Sequence, residues 1–168
     1  QTCALPISET YGLSETSVFG YAASAWVCQG SSQTGATIAL ALAEEATCTI
    51  TNDDIAPKLH LRKVVVNDNG GTATVANFTL TADGTGANDL SGTSPVDSGA
   101  GLAADTWALS ETPVPGYAAS AWVCVGGTQT GAAITLGLGE EATCTITNDD
   151  IAPKLTLDKI VVNGWGGT

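Results

Sequence analysis

The undecapeptide TITNDDIAPKL occurs twice, at residues 49–59 and 145–155, an offset of 96 (145 minus 49). The same offset relates Leu13 to Leu109, Tyr21 to Tyr117, Trp26 to Trp122, Cys28 to Cys124 and Cys48 to Cys144. A period this long is not that of a solenoid or a propeller blade, whose repeats run to roughly 20–50 residues. Each copy therefore has to be a domain with a core of its own. Tandem copies of a small domain serve reach, display or cohesion more often than turnover.

The phase of the repeat divides the chain. KVVVNDNGGT (63–72) returns as KIVVNGWGGT (159–168), whereas QTCALPI (1–7) matches nothing in the repeat and reads as the in-frame translation of a sequencing adapter, to be set aside from fold reasoning. Residues 8–56 are then the C-terminal half of one copy, 57–152 a complete copy, and 153–168 the first strand of the next. The IAPK linkers at 55–58 and 151–154 are short and carry a proline, so neighbouring copies are expected to be aligned semi-rigidly.

Without Cys3, four cysteines remain, two per copy. They lack the closely spaced ligand pairs of a zinc site, and His60 is the only histidine. One disulfide per copy is expected, Cys28–Cys48 and Cys124–Cys144, which places the chain in an oxidising, extracytoplasmic setting. Closing a 20-residue loop stabilises a domain by about 3 kcal/mol in the chain-entropy model. With 5 Lys+Arg against 17 Asp+Glu the net charge is −12, which disfavours nucleic acid and anionic membrane as partners. A 43% hydrophobic content suits a globular chain.

Alternating apolar and polar residues mark strands at LHLRKVVV (59–66), NFTLTA (77–82), TWALSE (106–111), YAASAWVCV (117–125), AITLGL (133–138) and ATCTITN (142–148), with a weaker one near Leu90–Val96. Turns rich in Gly, Asn, Asp and Pro separate them. The expected fold class is all-β, tandem seven-stranded β-sandwiches of immunoglobulin-like kind. Three of these strands place a polar residue where an apolar face should continue: Lys63 after Leu59 and Leu61, Glu111 after Trp107 and Leu109, and Asn148 after Cys144 and Ile146. Either the three lie at the rim, with Lys63 snorkelling to water, or they meet inside. The five basic residues, Lys58, Arg62, Lys63, Lys154 and Lys159, all lie in the junctions and first strands.

In their order, LDKIVVN, NFTLTA, LSETPVPGY and TCTITN resemble the collagen-adhesin B-type domains of Gram-positive surface proteins, and more closely their SpaA-like prealbumin-fold relatives. The most specific element is ETPVPGY (Glu111 to Tyr117), present as ETSVFGY in the first copy with Phe19 in place of a proline. The resemblance implies a prealbumin-like sandwich on a bacterial cell surface or in a secreted protein. It also implies an intramolecular isopeptide bond between Lys63 and Asn148 assisted by Glu111. In such chemistry burial favours the uncharged amine and the uncharged acid, and contact raises the effective molarity. In the first copy Glu15 and Asn52 match, with their lysine falling ahead of the sequence; Lys159 opens the next copy without partners. The cysteine pair departs from the Gram-positive pattern.

Asn67, Asp68 and Asn69 before Gly70–Gly71, with Asp53–Asp54 or Asp149–Asp150, could offer oxygens to calcium, but the spacing is not that of a calcium loop, and such clusters are ordinary hairpin turns. No metal or cofactor is expected. The leading expectation is a non-catalytic stalk or spacer repeat of an adhesin-like protein whose partners are its neighbouring repeats; a carbohydrate- or matrix-binding module and a spacer within an extracellular enzyme are the alternatives.

Overall fold

The computed structural model describes residues 9–166. Residues 1–7 and Cys3 lie outside the described residues. Seven short strands come first: β1 (Glu9–Gly12), β2 (Tyr21–Ala23), β3 (Val27–Gln29), β4 (Ser32–Thr34), β5 (Thr37–Leu40), β6 (Thr47–Thr49) and β7 (Asn52–Asp54). Ten more follow: β8 (Lys58–Val66), β9 (Leu80–Asp83), β10 (Leu90–Gly92), β11 (Val96–Asp97), β12 (Asp105–Glu111), β13 (Tyr117–Ala119), β14 (Val123–Val125), β15 (Thr128–Thr130), β16 (Ala133–Leu136) and β17 (Glu141–Asp150).

Strands β8–β17 make two facing sheets. One has the order β10-β9-β12-β16-β15, the other β11-β8-β17-β13, with β14 also pairing along β17. The pairing is antiparallel except for β8 and β17, which run parallel in register from Lys58↔Glu141 to Val66↔Asp149. Alternation produces this directly. Along β17 every second residue, Ala142, Cys144, Ile146, Asn148 and Asp150, is buried, and in β8 the buried set is Leu59, Leu61 and Lys63. Trp107, Leu109, Leu80, Ile134 and Leu136 face them from the other sheet and complete the core. Fully burying a side chain such as Leu or Ile contributes about 1.5–3 kcal/mol, so these two inward faces dominate the stability of the sandwich.

The count of seven strands expected per copy becomes ten in this unit, for local reasons. The run 117–125 breaks at Ser120, whose Oγ accepts from Thr147 N (3.1 Å) and donates to Ala121 O (2.7 Å). That hydroxyl replaces a ladder bond, bends the strand and lets Trp122 turn into the core, 7% exposed. The run 77–82 starts late because Val75–Asn77 form a 3₁₀ turn, in which Asn77 Oδ1 accepts from Thr74 N (2.8 Å). The GGTQTG turn holds a short strand, β15, paired with β16.

Strands β1–β7 repeat the pairing of β12–β17 at the 96-residue offset. Tyr11 faces Ile38 as Trp107 faces Ile134, and Ser24 repeats the bonds of Ser120. Among the described residues nothing plays the part of β8–β11 for this first set. Its inward apolar side chains accordingly stay more open, Tyr11 at 45% where its equivalent Trp107 is at 0%, and Ile38 is its one buried hydrophobic. Residues 151–166 run on without strand pairing.

Candidate functional site

Lys63 lies near the middle of β8 and Glu111 ends β12 in the opposite sheet, so the pair bridges the sandwich. Lys63 Nζ donates to Glu111 Oε2 at 2.7 Å, with the two side chains 0% and 7% exposed. The ammonium also sits 4.4 Å from the centroid of the Phe78 ring, which meets Tyr117 edge-on at 5.7 Å. Burial pushes the Lys63 pKa down, and the Glu111 carboxylate pulls against that shift. Asn148 is 2% exposed on the neighbouring strand β17. Ile146 is the register partner of Lys63, so Asn148 lies on the same face one diagonal step away. Two buried oxygens here have no hydrogen-bond partner: Glu111 Oε1 and Asn148 Oδ1. An unmatched buried polar atom costs about 1–3 kcal/mol, and both orphans fall in this one cluster.

In the first copy Asn52 Nδ2 donates to Glu15 Oε2 at 3.1 Å on an exposed surface. The same Glu–Asn neighbourhood therefore recurs, and no lysine joins it among the described residues. Lys159 lies in the unpaired segment 151–166, exposed, and is not brought to any such site.

The cysteines pair directly across antiparallel strands. Cys124 faces Cys144 with an S–S distance of 2.06 Å, and Cys28 faces Cys48 at 2.11 Å. Cys144 is fully buried, and Trp122 packs in the same cluster. Alternation alone did not reveal the part of Gln129. Its Oε1 accepts from Cys124 N (2.8 Å) and its Nε2 donates to Trp122 O and Gly131 O (2.8 and 2.9 Å). Gln33 does the same for Cys28, Trp26 and Gly35. A glutamine at the same place in both copies was the available signal.

The acidic turns do meet: Asp68, Asp149 and Asp150 bring carboxylate oxygens within 4.8 Å of one another. The Asp150 carboxylate, however, is already taken by backbone donors, Asp68 N (2.9 Å), Asn69 N (3.0 Å) and Gly71 N. A carboxylate ringed by N–H groups fastens the NDNGG turn to the end of β17 and has little left to offer a cation. Gly71 is required here, because a Cβ would fall 2.3 Å from the Tyr117 hydroxyl. That hydroxyl in turn donates to Asn67 Oδ1 (2.6 Å) and accepts from Ala73 N (2.8 Å).

These contacts set an acid limit. Burial alone would raise the Asp150 pKa, but the amides of Gly71, Asn69 and Asp68 outweigh it and hold the group low. Thr85 and Asn88 likewise hold Asp105 far below the ordinary range, and His60 and Arg62 lower Asp97. A depressed carboxylate contributes stability that is complete above its unfolded pKa, about 3.9, and is lost as pH falls through the folded value. Asp68 has the opposite sign: Asp149 raises its pKa, so its contribution fades as pH rises. Four lowered carboxylates, Glu44 among them, against one raised predict that urea-unfolding stability falls as pH drops below about 4. Asp150→Asn should flatten that slope; an unchanged profile in the variant would refute the role given to Asp150.

The all-β fold agrees with the family comparison. The prealbumin-like fold domain model of SpaA type matches residues 5–50 and 54–146, and the chain belongs to that family. Among solved structures the chain is similar to a major pilin protein (T-13) of Streptococcus pyogenes, at 10% identity and a TM-score of 0.45. That match covers 86% of this chain and 66% of the pilin chain. No curated protein matches the chain. Among the described residues no helix is long and apolar enough to cross a membrane.

Proposed function

We propose that the chain is a stretch of a stalk or spacer in a bacterial surface or secreted protein, built of tandem copies with a period of 96 residues, of which 57–152 is a complete one. The observation that carries this reading is the cross-strand disulfide found at the same place in two successive copies. A sandwich whose last strand is covalently tied to its neighbour suits a part that transmits tension and resists proteolysis. Its partners are the adjoining copies. No turnover is assigned to it; its one reaction is with itself.

That reaction is an isopeptide bond. Lys63 Nζ passes a proton along its 2.7 Å hydrogen bond to Glu111, and the neutral amine attacks Cγ of Asn148. Glu111 polarises the amide oxygen, delivers that proton to Nδ2 and takes up the second proton of Nζ, ending as the neutral acid. The Nζ–Cγ bond forms, the Cγ–Nδ2 bond breaks and one ammonia leaves. The two buried oxygens without a partner, Glu111 Oε1 and Asn148 Oδ1, support this reading, since a proton on Glu111 would give them one.

Pulling single molecules by their ends tests the reading. The wild-type unit should yield no length from residues 63–148, with or without reductant. Glu111→Ala should yield it in two parts, with the 20-residue disulfide loop, about 70 Å of extended chain, released only under reductant. An oxidised wild type that pays out its whole length would sink the tension-bearing role. Tight binding of the chain to a polysaccharide or matrix protein would favour the binding-module alternative.

A further inference from the structure

The first and second copies touch at one joint. Gly139 N donates to Ile55 O at 2.7 Å, and Ile55 N donates to Gly20 O at 2.8 Å. Gly20 has a positive φ of 84°, and a Cβ built on it would fall 2.8 Å from Leu138 Cβ and 2.9 Å from Leu138 O. From the other side, a Cβ on Gly139 (φ 70°) would lie 3.1 Å from Gly20 Cα. Backbone thus meets backbone, with Leu138 half-buried above the glycine.

Both halves of this joint exist again, unengaged. At the 96-residue offset Gly20 corresponds to Gly116 and Ile55 to Ile151. Gly116 has nearly the same φ, 86°, yet a Cβ there would meet nothing within 4 Å. Ile151 N donates to Gly116 O at 2.8 Å, repeating the turn, while Ile151 is 61% exposed against 41% for Ile55. A cleft of about 570 Å³ lined by Asn69, Gly71, Pro115, Gly116, Ile151 and Pro153 opens on this end. The other half, Leu138–Gly139, corresponds to Leu42–Ala43. There Leu42 is 77% exposed, and Ala43 holds the same left-handed conformation, φ 62°, without being glycine.

We propose that the Gly116–Ile151 end is a docking surface for the Leu138–Gly139-type loop of a following copy, and that Leu42–Ala43 is the matching loop for a preceding one. Each copy then presents different surfaces at its two ends, a heterologous contact that propagates in one direction without closing. The inference rests on the tandem-repeat reading above and adds a joint of fixed orientation to it.

Residual dipolar couplings test it. In this chain β1–β7 and β8–β17 should share one alignment tensor. Gly20→Val should separate them into two, and so should Leu138→Glu, which introduces no backbone strain. Gly116→Val carries the same φ penalty but no neighbour, so it should leave the joint intact. In a chain carrying residues 57–152 twice in succession, Gly116→Val should release the added copy as Gly20→Val releases the first. Independent tensors in the wild type, or a silent Gly116→Val in the longer chain, would overturn the docking surface. Neither result bears on the covalent shielding seen by pulling, so the stalk reading would stand or fall separately.

Discussion

Glu111→Ala should leave the protein one ammonia heavier than the wild-type mass corrected for the substitution, and markedly less stable. Lys63 has a fully buried side chain with Glu111 as its ion-pair partner, and removing one member of a buried pair costs about 3–5 kcal/mol. The mass and the stability report separate things. Wild type at its full sequence mass, in folded oxidised protein, would refute the cross-link while leaving the ion pair untouched. The double variant Lys63→Met/Glu111→Leu distinguishes an energetic role from a chemical one. Apolar replacement of both partners should recover the part of the loss that comes from the stranded charge, whereas the mass of that variant should show no loss of ammonia. If the double variant is as unstable as Glu111→Ala, the cost lies in the missing cross-link or in packing around Phe78 and not in the stranded charge.

Removing the disulfide with Cys124→Ala/Cys144→Ala should lower stability by about 3 kcal/mol, for a closed loop of 20 residues. In a unit of this size that corresponds to a fall in Tm of roughly 12–24 °C. Part of the loss comes from Cys144 itself, fully buried among Leu61, Trp122 and Ile146. Reduction of the wild type separates the two contributions, because it opens the loop and leaves the sulfur in place. A fall below about 1 kcal/mol on reduction would mean that the register Cys124↔Cys144 is held by the Gln129 clamp and the strand ladder, with the bond adding little.

Much of the sandwich was legible because burial and period agree. The alternation in β17, β8 and β12 names the inward residues one by one, and of the three polar residues interrupting those faces Lys63 and Asn148 are buried and Glu111 lies at the edge of burial. Strand breaks were not legible. Ser120 reads as one more strand residue until its hydroxyl is seen bonding Thr147, 27 positions away. Asp150 reads as a turn residue, whereas its carboxylate anchors a turn 81 positions earlier. The parallel pairing of β8 with β17 is equally silent in the sequence, since alternation fixes which face is buried and not which strand lies alongside. Phe78, against which the Lys63 ammonium rests, sat inside a run read as a strand.

If the tandem reading proposed above holds, that parallel pairing has a consequence for how nearly identical copies avoid exchanging strands during folding. The segment most like β17 is the one ending at β7, and it precedes β8 with only residues 55–57 between them. Parallel neighbours need a connection of a dozen residues or more, so the adjacent look-alike cannot turn back to lie beside β8. Each first strand is therefore barred by chain geometry from the twin it emerges next to. It must wait for the final strand of its own copy.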